Sequence, residues 1–162
     1  MSGYSILILI EADSKDDSIR SAEGEIDTLF ECGELHGDDK GYVNKDADVL
    51  QVSEVGEAKL RELNSQRESF AQKLIKEALD EANEKGFDSI AKVKLPSESF
   101  LDPSYHSIGH NLWKAGAILE GYFCPFGIVY DPPEYRCGFS ESRIKDLMVE
   151  PQKWWLVECI VG

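Results

Sequence analysis

The chain has 162 residues, of which 42% are hydrophobic, 10% aromatic and 30% charged. That make-up argues against disorder and suits one core, burying roughly 70% of the surface the unfolded chain exposes. Thirty-one acids against seventeen bases leave a net charge of −14, which repels phosphate backbones and anionic bilayers and so counts against direct nucleic-acid or membrane-surface binding. No apolar run reaches 18 residues, so no membrane span is expected. The N-terminus lacks the basic residues of a secretory signal, and the four cysteines read as reduced thiols, so a cytoplasmic location is the expectation.

Tyr4 to Ile10 is a continuous β-branched and apolar run, the pattern of a central strand buried on both faces. Residues 14–25 are polar with no clear period, and Ile26 to Cys32 reads as a second strand entering a turn-rich stretch. Residues 42–53 alternate weakly, with Val43, Val49 and Val52 inward. From Glu57 to Lys85 apolar residues recur every three or four positions, from Leu60 and Leu63 through Phe70, Leu74 and Ala78 to Ala82, which makes one stripe on a long amphipathic helix. Ser65-Gln66-Arg67-Glu68 fits a capping box, so a kink or restart is expected near Asn64. Gly86 should end the helix, and Phe87 to Leu95 reads as a strand stopped by Pro96.

All six prolines and 11 of the 16 aromatics lie in the last 67 residues, which changes the character of the chain there. Leu112 to Cys124 is ambiguous, with Gly116 and Gly121 favouring a strand. Phe126 to Tyr130 reads as a short strand, and Trp154 to Val161 as a terminal one. The expected architecture is a single α+β domain over residues 1–162, with a mostly antiparallel or mixed sheet and one long helix packed on a face.

Four groups of residues carry candidate chemistry. Cys137-Gly138-Phe139-Ser140-Glu141-Ser142-Arg143 has the C-x5-R spacing in which loop amides and an arginine hold a phosphate for thiolate attack. Glu141 inside that loop opposes an anion, and the residues before Cys137 are not an apolar strand. Cys32 with His36, and His106 with His110, supply four ligands that suit tetrahedral zinc, although glycines interrupt both segments. Glu11, Asp13, Asp16 and Asp17 crowd the end of the first strand, where carboxylates can hold Mg²⁺. The run from Leu7 to Asp13 resembles the opening of a receiver or a Toprim domain, but a receiver's acceptor Asp is missing at Leu50-Gln51-Val52-Ser53, and the Asp-x-Asp of a Toprim domain would follow an apolar strand, whereas Asp46-Ala47-Asp48 follows Val43-Asn44-Lys45. No dinucleotide loop, P-loop or nucleophile elbow is present.

The fourth group is an interaction surface. Residues 1–56 hold 14 acids and 4 bases, an acidic block that includes Asp13, Asp16, Asp17, Asp38 and Asp39. Tyr122, Phe126, Tyr130 and Tyr135 sit among prolines and glycines, where aromatics are often presented as interface anchors. Acid steering plus aromatic anchors describes a protein that docks on or occludes a basic protein partner, as an inhibitor, an immunity-type protein or a nucleic-acid mimic does. An enzyme using Cys137 and Arg143, or a zinc protein using the Cys/His set, is the alternative expectation.

Overall fold

A computed structural model of the chain describes residues 4–31, 41–85, 103–121 and 129–161. The described chain divides into two compact units, one formed by Met1–Gln66 with Gly121–Gly162 and the other by Arg67–Glu120.

The first unit is built on a mixed sheet. Strand β1 (Tyr4–Glu11) lies in its middle, as its unbroken apolar run requires. It pairs antiparallel with β6 (Trp154–Val161) along its whole length, with Leu9 opposite Leu156 and Ile8 opposite Val157. On its other side it pairs parallel with β4 (Val129–Asp131), which pairs antiparallel with the short β5 (Arg136–Cys137). Two further short strands, β2 (Tyr42–Val43) and β3 (Leu50–Gln51), both pair with β6.

Side chains alternate across a strand, so β1 feeds two cores at once. Leu9 and Leu156 pack with Val129, with Val52, Leu60 and Leu63 of helix α2 (Val52–Lys85), and with Ile144 and Leu147 of α4 (Glu141–Leu147). Ile6, Ile8 and Ile10 point the other way and are fully or almost fully buried. Helix α1 (Lys15–Glu31) packs against β1, β2 and β6, and its buried positions are Ser18, Ala22, Ile26 and Leu29.

Three sequence expectations change here. Residues 14–25 and the supposed strand from Ile26 are one helix, α1. Its stripe runs through Ser18 and Ala22, which lack the bulk that makes a period visible. Ser14 caps it, accepting from Asp17 N–H at 3.2 Å and donating to the Asp17 carboxylate at 2.7 Å, and buried Ser18 donates to Lys15 O. In α2 the break falls at Gly56, whose φ of 74° suits glycine, rather than near Asn64. Ser65 is no cap, because its hydroxyl donates back to Arg61 O at 3.1 Å inside the helix.

The second unit contains the C-terminal part of α2 and helix α3 (Pro103–Glu120). Ala78, Ala82 and Ile108 form its buried cluster, and the Lys114 ammonium lies 5.7 Å from the centre of the Phe70 ring. The strand expected from Leu112 is therefore helix as far as Glu120. Pro103 stands at its start, and Gly121, at φ 82°, is its left-handed stop rather than an interruption of a strand. The strand expected at Phe87–Leu95 lies outside the described residues. No helix among the described residues is long and apolar enough to cross a membrane.

Candidate functional site

The segment from Cys137 to Arg143 is folded as a closed structural turn. A phosphate loop would hold its amides and its arginine open toward one anion. Here Cys137 N–H donates to Gly121 O at 2.9 Å and Gly138 N–H to Val129 O at 2.7 Å. Phe139 N–H donates to Asn64 Oδ1 at 2.9 Å, and Asn64 Nδ2 returns a bond to Phe139 O. Arg143 N–H donates to Ser140 Oγ, the cap of α4. The guanidinium itself is engaged twice. Its Nε and Nη2 reach the two oxygens of Asp131 at 2.7 and 3.1 Å, and its carbon lies 4.7 Å from the centre of the Trp154 ring.

Asp131 is 1% exposed, and its burial pushes the carboxyl above the usual carboxylate range while the Arg143 bonds pull it part of the way back. Cys137 is buried. The Cys137, Gly138, Phe139 and Arg143 amides and the guanidinium are thus committed inside the protein, which counts against the phosphate-loop expectation for Cys137 and Arg143.

The acids at the end of β1 serve the start of α1. Asp17 belongs to the Ser14 cap and lies 3.6 Å from Arg20, while Asp13 and Asp16 are exposed; acids there favour the helix N-terminus. Among the described residues no three His, Cys, Asp or Glu side chains gather as metal ligands would, and Glu11, Asp13, Asp16 and Asp17 do not come together as one set. Of the zinc set, Cys32 and His36 lie outside the described residues. His106 and His110 stand one turn apart on α3, not on a loop, and His110 is exposed with its ring 5.9 Å from that of Trp113.

Of the aromatics expected to meet a partner, Tyr122 and Phe126 lie outside the described residues, as do Asp38 and Asp39. Tyr130 is only 6% exposed and belongs to the sheet, so it cannot anchor a partner. Tyr135 is 80% exposed, at a left-handed φ of 50° after the turn Pro132–Glu134.

The arrangement best suited to binding lies elsewhere in the acidic block. A cleft of about 590 Å³ opens between α1 and β2. Buried Ile26 and Val43 lie in its lining, exposed Tyr42 stands beside them, and Glu23, Asp27 and Asp46 supply carboxylates. Lys45, 3.6 Å from Glu23, is the one cation among the described residues of the lining. Asn44 sets this wall. Its backbone N–H and its side-chain amide reach Glu158 O and Oε1 at 2.8 Å each, and its own oxygens accept from Asp46 and Ala47 N–H to turn the chain.

The sequence reading placed Glu23, Asp27 and Asp46 in the acidic block but did not join them, and it passed over Tyr42 and Asn44. The signal was the i, i+4 spacing of Glu23 and Asp27 beside Ile26, which becomes legible once α1 is known to be a helix. Comparison of the chain with protein-family models, with curated proteins and with solved structures found no match.

Proposed function

We propose that the chain is an acidic binding protein that docks on a basic protein partner, and that the cleft between α1 and β2 receives a lysine or arginine side chain of that partner. The observation that carries this reading is the cleft's mixed chemistry. A long basic side chain is aliphatic along its stem and charged at its tip, so it pairs best with an apolar floor under a carboxylate rim. Ile26 and Val43 match the stem, Glu23, Asp27 and Asp46 match the charge, and the Tyr42 ring offers a face for a cation. The net charge of −14 adds long-range steering of a positive surface toward the site. Inhibitor, immunity-type and nucleic-acid-mimic roles all reduce to this act of covering basic residues. Tyr135 immediately precedes β5, at the opposite edge of the sheet from β2, so one small contact centred on the cleft does not include it.

The test separates a site from mere net charge. An octalysine peptide is titrated into the protein and into two variants of equal charge, Asp27→Asn in the cleft and Asp80→Asn on α2. The reading expects Asp27→Asn to weaken binding roughly fivefold or more and Asp80→Asn to leave it almost unchanged. Equal weakening in both would reduce the interaction to unspecific attraction and remove the cleft from it.

A further inference from the structure

We infer that α3 carries a self-complementary face through which two copies of this chain pair antiparallel. Helix α3 has a wide apolar surface, interrupted by His110, Asn111, Lys114 and Glu120. Ile108, Ala115 and Ile118 are buried on one side of it. Beside them around the helix, Gly109, Leu112, Trp113, Gly116 and Leu119 are all exposed, Trp113 by 60%, and none of these five is charged.

These residues keep a seven-residue period, with glycine at 109 and 116 and leucine at 112 and 119. Two helices joined on such a seam bring the first position of one against the fourth position of the other when they run antiparallel. Leu112 then meets Gly116 of the second copy, and Leu119 meets its Gly109, so every layer sets a large side chain against a hollow. A parallel pairing would set glycine on glycine and leucine on leucine, layers of unequal width that one interaxial distance cannot fill evenly. Both glycines face open space, since a side-chain carbon added at Gly109 or at Gly116 would meet nothing within 4 Å.

Charge also selects a second copy as the occupant. A chain of net charge −14 repels its own kind, so two copies meet where the acids are fewest. Residues 67–85 and 103–120 carry five bases and six acids, nearly neutral, in contrast to the acidic block of residues 1–56. The one acid of α3 is the exposed Glu120, one turn beyond Gly116 at the end of the seam. The pairing is independent of the cleft between α1 and β2, and the two respond to salt with opposite sign. Salt weakens docking of a cation on carboxylates, whereas it screens the repulsion between two acidic copies and so strengthens their pairing.

A single helix pair covers less than the roughly 1,200 Å² that stable specific interfaces bury, so the dimer is concentration-dependent. Sedimentation equilibrium of the full chain over about 1–300 µM, at low and high salt, reads it directly. The expected result is a mass that climbs toward twice the monomer value with concentration, and climbs earlier at high salt. Gly116→Leu fills the hollow and should abolish the rise while raising the melting temperature, since leucine is the better helix former. Leu112→Gly should also abolish it. The double variant Leu112→Gly with Gly116→Leu exchanges knob and hollow and should restore it. A monomer mass across the whole range, as would follow if another part of the same chain covered the face, overturns the inference. So does a Gly116→Leu variant that still pairs, or a double variant that stays monomeric.

Discussion

Arg143 spans two surfaces of very different polarity, the buried carboxylate of Asp131 and the ring of Trp154. Taking away one partner of a buried pair leaves the other charge without compensation, at a cost of roughly 3–5 kcal/mol. Arg143→Ala should therefore lower the urea midpoint by an amount of that order. A loss below about 1 kcal/mol would show that the pair is dispensable and would return the guanidinium to candidacy for an external anion. Cys159 behaves differently because its partner is the core. Burial pushes its thiol up to about 12 from the ordinary 9.0. A raised folded value means the protonated thiol is favoured by folding, so this contribution is complete below pH 9 and is lost as the pH climbs toward 12. An alkaline fall in stability across that window, flattened in Cys159→Ala, is the expected outcome of denaturant titrations at stepped pH. Equal slopes in the two proteins would contradict it. Cys137 and Cys159, both buried, should also resist alkylation at pH 8 until the protein is unfolded.

Elements were legible in the sequence where bulk made their period visible. β1, β6 and the long helix announced themselves through Ile, Leu, Val and Trp at strand or helix spacing. The start of the main part of α2 at Glu57 was also readable, although its cause is the left-handed Gly56. Helix α1 was not readable, because its inward stripe begins with Ser18 and Ala22 and so resembles a polar loop. Helix α3 was misread because Gly116 weighs against a helix by propensity, while its exposed position and the stop at Gly121 are tertiary facts.

Glycine substitutions turn that contrast into a measurement. Gly24 is exposed inside α1 with open space around it, so Gly24→Ala should add up to about 1 kcal/mol. Gly56→Ala should cost about 1 kcal/mol or more, since its φ of 74° is poor for any side chain. Thermal unfolding of both variants should give shifts of opposite sign, and shifts of the same sign would mean the break in α2 is misplaced. Leu60→Ala, in the core shared by β1, α2 and α4, should lose roughly 2–5 kcal/mol.

At the scale of the whole molecule, the sequence declared the charge but not its use. The acidic block was plain in residues 1–56, yet only the fold brings Glu23 and Asp27 of α1 beside Tyr42 and Asp46 at the sheet edge. The site depends on a helix whose period was hidden and on a two-residue strand, β2, too short to be read from any pattern. Tyr130 shows the converse. Proline-rich surroundings suggested a presented aromatic, whereas parallel pairing of β4 with β1 draws it into the sheet. The acid field and the cleft together define the central claim, that a basic side chain is received between α1 and β2. Amide chemical shifts recorded while an octalysine peptide is titrated into the full chain test it most directly. The account expects the shifts to concentrate at Glu23, Ile26 and Asp27 and from Gly41 to Asp46, and to fade as salt is raised. Shifts spread evenly over the acids of α1, α2 and α4, or none within those two segments, would contradict it.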